Sequence, residues 1–126
     1  MKLPIRPAGA PTRRGPYSPG IVTNGRLLFT ANQLPIDPAT NELIEGDIDA
    51  HAHQAMVNLL GVIEAAGGRV EGVVKVNLYL ADIADAPRVN EVYATTFSEP
   101  YPARTATQSS LPRGARVEID AVVSLD

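Results

Sequence analysis

The feature that most restricts this chain is a change of hydrophobic period near its middle. Between Asp47 and Ala66, the residues Ala52, Ala55, Met56, Leu59, Leu60, Ile63 and Ala66 recur at steps of three and four. On a helix of 3.6 residues per turn this makes a single apolar stripe. After Gly67-Gly68 the step drops to two, and Val74, Val76, Leu78 and Leu80 alternate with Lys75, Asn77 and Tyr79. That is the pattern of a half-buried strand. Asp47 or Asp49 can cap the helix start, and the glycine pair ends it. A long amphipathic helix that runs straight into a strand must lay its stripe on a sheet.

The flanking segments extend the layer. Residues 1–20 are dense in proline and glycine and read as an extended arm. Asn24-Gly25 predicts a two-residue hairpin joining Ile21-Val22 to Leu27-Leu28-Phe29. Gln33 to Glu45 is turn-rich and reads as a loop or a short irregular hairpin. A second helix begins near Asp85-Ala86-Pro87, with aspartate capping and proline in the first turn. Val89, Val92, Tyr93 and Phe97 form its inner stripe, and Pro100 and Pro102 end it. Arg104 to Ser109 and Arg116 to Leu125 read as strands. In the second of these Val117, Ile119, Ala121, Val123 and Leu125 face the helices, and Arg116, Glu118, Asp120, Val122 and Ser124 face away. The expected fold is α+β, a mixed sheet with two helices packed on one face, as a single domain over 1–126. At 126 residues the core has little to spare, so the open face is either wet or closed by other subunits.

Several functions are excluded or disfavoured. With no cysteine, disulfides, thiolate catalysis and zinc-thiolate sites are out. The N-terminus has charges and prolines and no apolar run, so it reads as neither signal peptide nor membrane anchor, and a cytoplasmic location is expected. Net charge is -3 and Arg13-Arg14 is the only adjacent basic pair. The clustered cations that nucleic-acid binding needs are missing. His51 and His53 lie two apart on a helix, without the i, i+4 geometry of a metal pair. They read as solvent-facing, and no metal site is expected.

Several segments, in order and in register from about Pro11 onward, resemble the RidA/YjgF family. They are Gly15-Pro16-Tyr17-Ser18-Pro19-Gly20, Phe29-Thr30-Ala31-Asn32-Gln33-Leu34-Pro35, Glu64-Ala65-Ala66-Gly67, Val89-Asn90-Glu91-Val92-Tyr93, Pro102-Ala103-Arg104-Thr105, and Leu111-Pro112 with Val117-Glu118-Ile119-Asp120-Ala121. The resemblance implies a chorismate-mutase-like fold, assembled as a homotrimer around a barrel-like centre with sites in the clefts between subunits. It also implies hydrolysis of 2-aminoacrylate and related imines to keto acid and ammonia, without metal or organic cofactor.

The resemblance assigns roles residue by residue. Arg104 matches the arginine that binds the substrate carboxylate, a task suited to its fork of donors; a surface arginine in a weak ion pair is the plainer reading of the residue alone. Tyr17 matches a tyrosine that lines the pocket from a neighbouring chain, although an aromatic in this arm can also pin the arm to the sheet. Asp120 stands where the deaminases usually carry a glutamate that holds the attacking water. Its carboxylate is retracted by about 1.5 Å, one C–C bond, and misplacement by about 1 Å can cost on the order of 100-fold in rate. A solvated carboxylate beside Glu118 is the alternative. Ala31 replaces a common serine and Ala106 a common cysteine, leaving the pocket wall less polar. Asn32 replaces a glycine, and Asn90 matches a helix asparagine read as structural.

The leading expectation is an enamine or imine hydrolase acting on a small carboxylate: Arg104 holds it, Tyr17 lines the pocket and Asp120 places the water. The alternatives are a non-catalytic binder of small acids, a protein-interaction module, or a hydrolase of another small substrate. A nuclease role, attached to some relatives, is opposed by the acidic charge.

Overall fold

The computed structural model describes residues 1–126. The elements in chain order are β1 (Leu3–Ile5), β2 (Gly20–Val22), β3 (Leu27–Phe29), β4 (Ile36–Asp37), β5 (Glu42–Leu43), α1 (Ile48–Ala65), β6 (Val73–Leu80), α2 (Ala86–Thr96), β7 (Ala103–Gln108) and β8 (Val117–Ser124). The central sheet has the order β3-β8-β6-β7. β6 pairs in parallel with β7 and antiparallel with β8, and β3 pairs antiparallel with β8. The mixed sheet with both helices on one face is the architecture expected from the change of period.

The core lies between the helices and that face. α1 contributes Ile48, Ala52, Ala55, Met56, Leu59 and Ile63; α2 contributes Val89 and Tyr93; the strands contribute Val76, Leu78, Val117, Ile119, Ala121 and Val123. Each fully buried leucine, isoleucine or valine side chain stabilises the fold by about 1.5–3 kcal/mol relative to exposure. Asp47 caps α1 by accepting from the Ala50 N–H at 3.1 Å. Gly67, at φ +79°, turns the chain off the helix end. Gly72 lets the chain enter β6 hard against β8: a Cβ there would run into the Ser124 carbonyl oxygen.

Four expectations are corrected. The Asn24-Gly25 turn forms, with Gly25 at φ +84°, but the segments it joins do not pair with each other. β2 pairs with β1, so the arm contains a strand, and β3 pairs with β8. The turn is held by Asp126, which accepts from the Arg26 N–H at 2.9 Å and from Arg26 Nε at 3.1 Å. Long-range partners on both sides outcompete the local hairpin. Gln33 to Glu45 does contain a short hairpin, β4–β5.

Asp85 occupies the cap position of α2, but its side chain makes no capping bond; Asp82 caps the preceding single 3-10 turn instead. His51 is not solvent-facing. It is buried at the rim of the α1 stripe, where Nδ1 accepts from the Arg116 N–H at 3.3 Å, and burial lowers its pKa. His53 is exposed as expected. No helix is long and apolar enough to cross a membrane.

Candidate functional site

Arg104 lies near the start of β7, opposite Val76 of β6, so its side chain shares the helix-facing side with the core. It is half-buried between α2 and the N-terminal segment. One guanidinium nitrogen, Nη1, donates to Asn90 Oδ1 at 2.8 Å. The guanidinium carbon lies 5.0 Å from the ring centre of Tyr93 and 5.9 Å from that of Tyr17. Both contacts favour a cation on the ring faces. The N-terminal segment presses so close that a Cβ on Gly15 would stand 3.2 Å from Arg104 Nη2. Burial lowers the Arg104 pKa, and no carboxylate in the chain pairs with it. An arginine partly withdrawn from water with no counter-ion and most of its N–H groups uncommitted is a ready site for a small anion.

Tyr17 meets Arg104 of its own chain. The amide and hydroxyl contacts of Ser18 fix it there. The Ser18 N–H donates to the Pro102 carbonyl at 3.0 Å, and its Oγ donates to the Tyr101 carbonyl. Ala106 is half-buried, two residues along the same face of β7.

The two carboxylates of β8 occupy the other side of the sheet. Asp120 sits opposite Asn77, and Glu118 opposite Tyr79. Asp120 accepts from Asn77 Nδ2 at 2.9 Å and from the Tyr79 hydroxyl at 3.0 Å, so each of its oxygens is engaged. The bond to Asp120 raises the Tyr79 pKa and keeps the phenol a donor. Glu118 is only 6% exposed, and burial alone raises its pKa, with no hydrogen bond or cation opposing the shift. A desolvated carboxylate without a partner is poised for proton transfer. Ala31, exposed, follows β3 on the outer flank of β8, between the bonds from Thr30 and Gln33 to that strand.

The sequence-predicted residues thus fall into two groups. Arg104, Tyr17 and Ala106 gather at the β7 edge on the helix side, while Ala31 and Asp120 lie toward the β3–β8 edge, with Asp120 on the open side. From Glu118 to Arg104 the path is two strands across and three residues along, about 14 Å at the backbone, and the side chains leave opposite faces. One protomer does not place both on one small molecule. Two residues were underread in the sequence. Asn90 is a poor helix former in mid-helix, three residues before Tyr93, which marks a side chain with a specific partner. Glu118 lies on the same strand face as Asp120, and the alternation alone made the two equivalent.

Comparison with known proteins places this geometry in context. The chain matches the family model described as Endoribonuclease L-PSP over residues 8–125. It is 45% identical over 115 residues to protein DfrA of Myxococcus xanthus, covering 90% of this chain and 88% of that one. It is 41% identical over 119 residues to 2-iminobutanoate/2-iminopropanoate deaminase of Bos taurus, covering 94% and 86%. Among solved structures it resembles RidA from an Antarctic Psychrobacter, with TM-score 0.75 and 42% identity over 94% of this chain and 96% of that one. A matched family model across nearly the whole length, relatives above 40% identity and the same two-helix mixed sheet make this chain a member of the RidA/YjgF family.

Proposed function

We propose that this protein hydrolyses small 2-imino or enamine acids to keto acids and ammonia, as a homotrimer with its sites in clefts between protomers. The observation that carries this reading is Arg104: half-buried, without a carboxylate partner, bound through one nitrogen to Asn90 and framed by two aromatic rings. The substrate carboxylate supplies the missing counter-ion through two parallel N–H bonds. The relatives named as 2-iminobutanoate/2-iminopropanoate deaminases support this substrate class.

The separation of the two groups supports the oligomer, because the β7 edge of one protomer must meet the β8 face of another to complete a site. The open face has the apolar surface for such contact: Phe29 is 70% exposed and Leu27 38%. Of the two carboxylates, Glu118 is the better base in this reading. Asp120 is engaged by Asn77 and Tyr79, whereas Glu118 is unpartnered and burial raises its pKa, which makes it the stronger base. Glu118 of one protomer removes a proton from water as the water oxygen bonds to the imine carbon. The C=N bond becomes a C–N single bond and nitrogen takes up that proton, giving the carbinolamine. The carbinolamine hydroxyl then yields its proton to the amino nitrogen, and its oxygen forms the C=O bond of the keto acid as the C–N bond breaks and ammonia leaves.

The test is keto-acid release from 2-aminoacrylate or 2-iminobutanoate generated in situ. Wild type should accelerate it, and Arg104→Ala and Glu118→Gln should not. Asp120→Asn should retain most of the rate. If Asp120→Asn abolishes turnover while Glu118→Gln does not, the water belongs to Asp120. If wild type binds keto acids without accelerating release, the protein is a binder of small acids.

A further inference from the structure

The segment that covers Arg104 is itself fastened by a residue outside the site. The guanidinium of Arg13 points its nitrogens at two different acceptors. Nη1 donates to the Tyr17 carbonyl at 3.0 Å, and Nη2 donates to Glu99 Oε1. Its carbon lies over the Tyr101 ring, 5.6 Å from the ring centre. Arg13 is about a quarter exposed at 27%, and Glu99 is mostly exposed at 62%. The bond to Tyr17 folds residues 13–17 into a closed loop, tightened by the Tyr17 N–H donating to the Gly15 carbonyl at 2.9 Å. Ser18 anchors the far end to β7. What lies between the two anchors is Gly15 against Arg104 Nη2 and the Tyr17 ring on the same guanidinium.

We propose that Arg13 and Glu99 form a latch that holds the Gly15–Tyr17 strap against Arg104, and that the latch sets affinity for the bound acid. The proposal rests on the reading of Arg104 as the carboxylate clamp. Arg13 touches neither substrate nor reacting atoms; it is a positioning residue, acting through the strap. An arginine is required because its two Nη groups reach two separate acceptors, the Tyr17 carbonyl and Glu99, from one delocalised cation over the Tyr101 ring; an ammonium is a point donor without that fixed fork. The strap frames the acid equally before and during reaction, so loosening it removes uniform binding and raises KM without lowering kcat. Because Glu99 is exposed, salt screens its half of the latch.

Two readouts test this. The first needs no ligand: trypsin cleavage at the Arg14–Gly15 bond of the folded protein, followed by mass spectrometry. Arg14 lies between the latch and the strap and is exposed, and Arg13→Ala should speed cleavage there about fivefold or more as the closed state is lost. The second is calorimetric binding of 2-oxobutanoate beside turnover. Arg13→Ala should weaken binding about tenfold, equivalent to about 1.4 kcal/mol, and leave kcat within about twofold. Arg13→Lys should not rescue it. Glu99→Gln should weaken binding less and flatten its dependence on salt. Unchanged cleavage in Arg13→Ala overturns the latch. Faster cleavage with unchanged affinity overturns its link to Arg104, as does rescue by Arg13→Lys. A wild type that binds no 2-oxobutanoate contradicts the Arg104 reading, and the cleavage result still decides the latch by itself.

Discussion

Tyr93 offers a sharp test of the core beside Arg104, because its hydroxyl is fully enclosed and has no hydrogen-bond partner. The residue is fully buried and its ring lies 4.4 Å from that of Phe97 and 6.5 Å from that of Tyr101. Burial also raises its pKa, so the group stays a neutral phenol. An unsatisfied buried hydroxyl costs about 1–3 kcal/mol of desolvation. Tyr93→Phe removes that cost and keeps the ring that stacks on Phe97 and lies under the Arg104 guanidinium. Against it stands a small void and the loss of the hydroxyl's dispersion contacts. The net expectation is stabilisation by about 1 kcal/mol. For 126 residues the unfolding entropy is about 0.26 kcal/mol/K, so the melting temperature should rise by about 4 °C. The assay is calorimetry or thermal circular dichroism at matched protein concentration, since the Tm of any protein that assembles depends on concentration. A fall of Tm in Tyr93→Phe would refute the reasoning and place a partner on the hydroxyl.

Two further outcomes follow from the fold. His51 has a lowered pKa in the folded chain, so its contribution to stability is full above the unfolded value of about 6.5 and is lost as pH falls below it toward the folded value. Denaturant midpoints should therefore drop on acidification across that window, and His51→Gln should flatten that part of the profile. Gly72→Ala should destabilise by about 1–3 kcal/mol, because the new methyl meets the backbone carbonyl of Ser124 and not a movable side chain; a urea midpoint unchanged from wild type would count against that close approach.

The parts of the fold legible in the sequence were those written as periodicity. The α1 stripe and the alternations of β6 and β8 fix which faces meet, and the structure buries Leu59, Ile63, Leu78 and Ile119 as those patterns require. The Asn24-Gly25 turn was legible as a turn but not as a junction, because pairing partners far along the chain decide where β2 and β3 go. His51 was misplaced for a related reason: its burial answers to an amide of Arg116, 65 residues away.

The site was legible as residue types and not as an arrangement. Arg104 and Tyr17 do converge. That Asn90 orients Arg104, that Asp120 is bound by Asn77 and Tyr79, and that Glu118 is left unpartnered depend on sheet register, which no local pattern states.

The central claim is that a working site joins Arg104 of one protomer to Glu118 of another. The direct measurement is keto-acid release by trimers assembled from a co-expressed mixture of Arg104→Ala and Glu118→Gln chains, each inactive alone. In a random mixture about a quarter of the clefts carry both intact residues. The account predicts recovery of activity to about that fraction of wild type. A mixture as inactive as its parents, with mixed assembly verified by mass, would contradict it.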